Sequence, residues 1–440
     1  MSGSRAEALW WPHVREARWF QGKGRDGELS TLRPLPWLVP PGGAVAVRPE
    51  LAQISYPDGG SELYQLLVAY RDTRPVDDSA VVGERDGQWV SDAPRDPEAM
   101  EAVTGVLRAE TTIGGRDAGV TVRVVSPLPA DDLSPRWYPG QQSNTNVFLG
   151  ATALMKIFRK LEPGENRDVV VTRRLREAGV EDVPAVYGWV EGTLDGVRYD
   201  LAAIIEQLHD PQDGWGLACD ACRAGADFTT HAAALGRALA AVHKGLASDE
   251  TTVLGDTIAD QMSERLETAA AAAGVLTGYL PALSRHFDAL RGRVVPVQSV
   301  HGDFHLGQTL LTPEGWRIID FEGEPLKSFA ERQAPDSVWR DVAGMTRSIS
   351  YATSAHPDPS SEDAQNWLTL TREAFLGAYC GDQRQIDGDL LSAYEADKAA
   401  YEVVYETRNR PDWVTIPLRA IQHVTQKVTP DGGKQPHAHL

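Results

Sequence analysis

The chain changes character once, near Asp210, and that change limits the folds open to it. Upstream, strand patterning dominates. The β-rich runs "AVAVRPELAQISYP" (44–57) and "SELYQLLVAYR" (61–71) meet at the turn signal "PDGG", and "PEAMEAVTGVLR" (97–108) reads as a short helix. The strands "GVTVRVV" (119–125) and "ALMKIFR" (153–159) are separated by the polar loop "SPRWYPGQQSNTNVFLG" (134–150). A helix is expected at 166–178 in "NRDVVVTRRLREAG", ended by Gly179, with further strands in "VPAVYGWVEG" and "YDLAAIIEQL" (199–208). Downstream, "THAAALGRALAAVHKGLA" (230–247) places Leu235, Leu239 and Val242 on one helical face. Helices are also predicted at 338–353, 364–380 and 389–408, with two short strands at "RVVPVQSVHGD" and "QTLLTPEGWRIIDFEGEP". At 440 residues the chain is long for one hydrophobic core. The expected class is α+β, in three parts: a β-rich N-terminal cap at 1–108, an intermediate subdomain at 109–207 and a mostly helical C-terminal lobe at 208–440.

Charge narrows the partners. With 43 basic against 62 acidic residues, the net charge of −19 argues against nucleic acid or an anionic membrane. No run of about 20 apolar residues and no signal-peptide pattern is present, so a soluble cytoplasmic protein is expected. "CDAC", with Cys219 and Cys222, has CxxC spacing, but no second pair or nearby histidines complete a tetrahedral metal site. Local packing or an incidental disulfide is the preferred reading.

The chemistry gathers in "SVHGDFHLGQTLL" (299–311) and "RIIDFEGEP". Transfer of a γ-phosphoryl group to a hydroxyl calls for a carboxylate near the nucleophile and oxygen ligands for Mg²⁺. Asp303 followed five residues later by Gln308 has the spacing of a base and a metal-binding amide in a kinase catalytic loop. Asp320, at the end of an apolar strand, stands where the second Mg²⁺ ligand belongs. Gly302 lets the backbone turn beside the acid, and His301 and His305 are read as loop-packing residues. Upstream, Lys156 lies mid-strand among apolar neighbours and is the candidate for the α/β-phosphates of ATP; the competing reading is a lysine pointing to water from a strand edge. The preceding loop lacks GxGxxG, yet Ser143, Asn144 and Thr145 offer donors to phosphates.

These motifs, with "RWFQGKGR" (18–25), "WRDVAGMTRSISYA" and "YEVVYETRNRPDWVTIPL", resemble the actinobacterial maltokinases and the related glucosamine kinases. Both belong to the aminoglycoside-phosphotransferase-like, protein-kinase-like superfamily. The resemblance implies a bilobal kinase fold with an added cap and a helical C-terminal lobe. It makes Asp303 the base, Gln308 and Asp320 the Mg²⁺ ligands and Lys156 the phosphate lysine. In "IIEQL" it places the hinge, where Glu206 and Leu208 would hold adenine through their backbone. One departure stands out: the family pattern has a glutamate after the lysine strand where this chain has Val170, which leaves Asp168 or Glu165 as substitutes, or the nucleotide alone, to fix Lys156.

A sugar is held by carboxylates, amides and arginines over an aromatic platform. "PDSVWRDVAGMTR" offers Asp336, Arg340 and Asp341; "YEVVYETRNRPDW" offers Glu402, Glu406, Asn409 and Trp413, with the glutamates one helical turn apart. A solvated helix with a capping turn accounts equally for the outer residues. The density of acids and the resemblance favour D-glucosamine, giving its 6-phosphate, with maltose and its 1-phosphate as the alternative. A catalytically inactive nucleotide-binding scaffold and an aminoglycoside-resistance enzyme remain as rivals.

Overall fold

The computed structural model describes residues 3–129, 132–140, 143–324, 327–382 and 385–426. Gln141 and Gln142 of the polar loop, Pro325 of "DFEGEP" and the end of the C-terminal part from 427 onward lie outside the described residues. The chain forms two compact units, Met1–Arg176 with Pro184–His209, and Glu177–Val183 with Asp210–Leu440.

Two antiparallel sheets make up the first unit. One runs in the order Glu28–Pro34, Ala46–Ser55, Ser61–Arg71, Gln88–Asp92, Val81–Arg85, and the short strand Lys160–Leu161 also pairs with Ser61–Arg71. From Tyr64 onward Ser61–Arg71 is buried on both faces, which is why it reads as a continuous apolar run. Tyr64, Leu66 and Val68 pack with Trp10, Trp19 and Phe20 on one side, and Leu67 and Ala69 join Met100, Val103 and Val147 on the other. Trp10 and Val14, one turn apart, anchor the helix Gly3–Glu16, which the sequence reading lacked; Pro12 inside it interrupts the expected helical signal.

The second sheet runs Thr111–Gly114, Ala118–Val124, Val186–Leu194, Val197–Glu206, Ala153–Ile157, Thr145–Leu149, Pro135–Trp137. Ala153–Ile157 is therefore interior, with Ala153, Met155 and Ile157 in the core and Leu154 and Lys156 on the opposite face. Helix Arg167–Glu177 follows, and Gly179 turns the chain away at φ +79°.

The second unit is mostly helical. Thr229–Leu246 packs on Glu362–Cys380, and Trp339–Ala352 on Gly388–Asn409. Glycine permits the first contact: a Cβ on Gly236 would lie 2.4 Å from the Phe375 carbonyl oxygen. A small sheet, Gln212–Asp213 with Thr309–Thr312 and Gly315–Ile318, and the ribbon Thr251–Leu254 with Val294–Val297 frame the loop around Asp303. The helices expected at 338–353, 364–380 and 389–408 are all present within two residues. No described helix is long and apolar enough to cross a membrane.

Candidate active site

In the first unit, Lys156 reaches back from its strand to Asp168, with Nζ 2.8 Å from Oδ2 and both side chains largely buried. Asp168 occupies the first turn of helix Arg167–Glu177, where its amide is capped by the Asn166 side chain at 2.9 Å. The substitute for the missing glutamate is thus Asp168, because Glu165 turns instead to Arg198 at 3.3 Å. An interior strand and a carboxylate partner set aside the reading of Lys156 as a solvent-facing edge residue.

One assignment nearby is corrected. Thr145 is buried and its Oγ1 accepts from Arg159 Nε at 2.7 Å, so its hydroxyl is committed to structure rather than to phosphate. Arg159 is itself fully buried, paired with both oxygens of Asp92 at 3.0 Å and lying 4.9 Å from the Trp19 ring. Asn144 is weakly tied to the Arg159 amide at 3.4 Å, and Ser143 is exposed. At the hinge, the Glu206 amide donates to the Ala185 carbonyl at 2.8 Å and its carboxylate accepts from the Ala185 amide at 3.0 Å. These bonds occupy the amide and the carboxylate of Glu206 and do not involve its backbone carbonyl. Leu208 lies half-buried two residues past the strand.

In the second unit, the loop around Asp303 is fixed at its backbone. Asp341, wholly buried, accepts from the amides of His301 (2.6 Å) and Gly302 (2.8 Å) and from His243 Nε2 (2.9 Å). His243 Nδ1 in turn accepts from the Tyr379 hydroxyl at 2.9 Å. Burial pushes the Asp341 carboxyl up, but the His243 hydrogen bond and the neighbouring histidines and amides outweigh it and bring it down to about 2. Arg340 holds the other side of the loop, donating to the Gly302 carbonyl (3.0 Å), Asp336 (2.8 Å) and Glu324 (2.7 Å). Gly302 takes φ +88°, which a side chain would strain. His301 bridges from the Asp303 amide, accepted at Nδ1, to the Ile319 carbonyl at 3.0 Å, and His305 Nδ1 caps the Gly307 amide at 3.0 Å.

Asp303 thus projects from a braced turn, largely buried, with Lys398 Nζ 3.2 Å from one of its oxygens and His305 4.0 Å from the other. Burial raises this carboxyl, but Lys398 and the two histidines more than offset it, so the group lies below the ordinary aspartate range and is ionised at neutral pH. Gln308 and Asp320 come together, with the Gln308 side-chain amide 3.3 Å from Asp320 Oδ2. Asp320 adopts φ +67°, an uncommon left-handed conformation for a residue with a side chain, of the kind retained at functional turns. Gln308 Nε2 donates in the contact with Asp320; the Gln308 amide oxygen and the Asp320 carboxylate are hard ligands of the type Mg²⁺ takes, so the residue types fit that ion.

The acceptor candidates separate. Asp341 is corrected to a positioning role, since its oxygens are filled by loop amides and His243. Arg340 and Asp336 belong to one buried cluster with Tyr394, whose hydroxyl donates to Asp336, and the Ser337 amide fills Asp336 further, so both are likewise corrected to braces. Glu402 accepts from buried Arg347, while Glu406 pairs with Arg410 at 2.8 Å and leaves its Oε2 unbonded. Asn409 is exposed and bonds back to its own helix at Tyr405, and Arg410 stacks 4.7 Å from the half-buried Trp413 ring. Residues the sequence reading missed are His243, Glu324, Arg347 and Lys398. The last lies four residues before Glu402 and four after Tyr394, a face-sharing pattern visible in "AYEADKAAYE". Cys219 and Cys222 sit buried and unbridged in the helix Gly214–Ala224, with burial pushing the Cys219 thiol up to about 11, as local packing predicts.

Residues 13–96 match the maltokinase N-terminal cap domain, and residues 136–373, over half the chain, match the phosphotransferase enzyme family. A glucosamine kinase of Streptacidiphilus jiangxiensis is 27% identical over 309 residues, 63% of this chain and 70% of the relative. One of Mycolicibacterium smegmatis is 28% identical over 382 residues, 78% of this chain and 92% of the relative. A crystal structure of a glucosamine kinase superposes with a TM-score of 0.70 at 22% identity, covering 90% of this chain and 94% of that one. A second, of a glucosamine kinase in complex with glucosamine, ADP and inorganic phosphate, gives 0.68 at 21%, covering 96% and 99%. At these identities the structures establish the fold. The chain belongs to the phosphotransferase enzyme family, in the branch that carries the maltokinase N-terminal cap.

Proposed function

We propose that the chain is an ATP-dependent kinase that phosphorylates D-glucosamine to glucosamine 6-phosphate in the cytoplasm, where its nucleotide is available. The observation that carries this reading is Asp303 on a turn braced from both sides, in the same unit as the adjoining side chains of Gln308 and Asp320. The two glucosamine kinase relatives support the choice of acceptor.

In this reading Asp303 accepts the proton of the acceptor hydroxyl as its oxygen attacks the γ-phosphorus, and ADP leaves. Gln308 and Asp320 would hold Mg²⁺, which when bound neutralises charge on the phosphates. Lys156, oriented by Asp168, pairs with the α/β-phosphates, and Ser143 and Asn144 are the remaining loop donors to them. The Glu206 carbonyl and the backbone at Leu208 are the adenine contacts. Glu402, Glu406, Asn409 and Trp413 supply the acceptor wall; the unbonded Glu406 Oε2, buried beside Tyr351, is the group among them most in need of a donor. The chain divides functionally into a cap at 1–108, a nucleotide subdomain at 109–207 and a catalytic lobe at 208–440.

The maltokinase cap at 13–96 favours maltose as a second acceptor. A coupled ADP-release assay with ATP–Mg²⁺ and glucosamine, glucose, N-acetylglucosamine, maltose and kanamycin separates the readings. Turnover is expected with glucosamine. Turnover with maltose alone would transfer the assignment, and silence across the panel with ATP still bound would make the chain a scaffold. Asp303→Asn should abolish turnover while ATP binding persists.

A further inference from the structure

Lys398 has no place in the roles assigned above, yet it makes the closest contact to Asp303. Its ammonium, on the helix Gly388–Asn409, stands 3.2 Å from Asp303 Oδ1 and 3.6 Å from Glu324 Oε1, with the Tyr401 ring 5.5 Å away. Glu402 and Arg340 are the other charged groups that act on it, and His305 and His301 the others that act on Asp303. A lysine set this close to several acids is not a solvated helix residue. It is a compact point charge on a flexible stem, able to hold one carboxylate oxygen while leaving the second open.

The backbone under Asp303 is fixed by Asp341 and Arg340, but neither touches its carboxylate. Lys398 does, and only at Oδ1. We propose that Lys398 is a positioning residue for the transfer: it pins Oδ1 of Asp303 so that Oδ2 faces the acceptor hydroxyl and receives its proton. This rests on Asp303 being the base. In the step, the hydroxyl proton passes to Oδ2, the new bond forms between the acceptor oxygen and the γ-phosphorus, and the bond to ADP breaks. Lys398 keeps its three protons throughout and changes nothing but the orientation and ionisation of its partner. Glu324 has a matching part, because it is held by Arg340 at 2.7 Å and in turn fixes the ammonium from behind.

The test uses the full chain with Lys398→Ala, Lys398→Met and Lys398→Arg beside Asp303→Asn. For Lys398→Ala, kcat with glucosamine is expected to fall about 10²-fold, as misplacement of a reacting group does, while KM for ATP stays at the parent value. Ethylammonium added to Lys398→Ala should restore part of kcat, whereas Lys398→Met, whose side chain fills the space, should not respond. Lys398→Arg should lie between parent and Ala. Circular dichroism controls for folding, and should the Ala protein not fold, the Met and Arg proteins decide on kcat alone. Parental kcat in the Ala or Met protein, with Asp303→Asn inactive, would overturn the role of Lys398 and leave the base in place. Equal losses in kcat and in KM for ATP, with no response to ethylammonium, would overturn it in favour of a structural support. An active Asp303→Asn would remove the base assignment itself.

Discussion

Asp341→Asn tests how the catalytic loop is held. Asp341 Oδ2 accepts from the His301 amide and from His243 Nε2, and Oδ1 accepts from the Gly302 amide; Asp341, His243 and His301 are buried. An asparagine keeps one oxygen and turns an NH₂ group on the remaining donor. With its oxygen at the Oδ2 site, it strands the Gly302 amide and weakens two bonds to a former anion. A charge-assisted bond is worth about 1.5–3 kcal/mol, and breaking a buried ionic arrangement costs roughly 3–5. The acid–base side gives a consistent figure: a carboxyl lowered from 3.8 to about 2 on folding contributes roughly 2.5 kcal/mol. The folded value lies below the unfolded one, so this stabilisation is complete above about pH 4 and fades as pH falls toward 2. Urea unfolding of parent and variant across pH 3–7 should therefore show a gap of about 3 kcal/mol at neutral pH that narrows at the acid end. The variant should also lose kcat more than affinity for ATP, because Gly302 immediately precedes the base. A parental unfolding midpoint at pH 7, or a gap that does not move with pH, would refute the claim that a carboxylate braces this loop.

Two further perturbations address the neighbouring parts. Asp168→Asn removes the charge that fixes Lys156 and should raise KM for ATP about tenfold, equivalent to one charged hydrogen bond, read in steady-state kinetics with saturating sugar. Gly344→Ala places a Cβ 2.4 Å from the Phe304 carbonyl oxygen, in the residue after the base. The overpacking should destabilise by about 1–3 kcal/mol in thermal unfolding and lower kcat, whereas Gly377→Ala, whose Cβ meets nothing within 4 Å, should do neither.

What was legible in the sequence follows from which signals are local. The spacing of Asp303, Gln308 and Asp320 is local, because a short hairpin brings the second and third together, and it could be read directly. Helices 230–247, 338–353 and 389–408 carry their own periodicity and emerge near their expected limits. Asp341 was noticed but misassigned, since nothing along the chain tells an acid facing a substrate from one facing two amides forty residues away. Thr145 failed for the same reason, its partner Arg159 lying on the neighbouring strand's extension. Lys398 was overlooked in a helix whose other charges look solvated, and its meaning depends wholly on a loop 95 residues upstream. The N-terminal helix was hidden by Pro12, although Trp10 and Val14 carry its anchoring face.

The same long-range pairing alters the case for a cationic acceptor. In sequence, the acids of 331–341 and 402–412 look like a surplus of negative charge that an aminosugar would answer. In space most of that surplus is already cancelled: Glu402 by Arg347, Glu406 by Arg410, and Asp336 with Glu324 by Arg340. Asp303 faces Lys398, which also stands beside Glu324. Among Asp303, Glu324, Asp336, Lys398 and Arg340 one negative charge is left over, and it is shared by groups that are largely shielded from water. A single shielded charge attracts an ammonium more strongly than several exposed ones would, since the interaction weakens in proportion to the local dielectric constant. Asp303 itself is already paired with Lys398, so its charge gives no separate reason to expect a cationic acceptor.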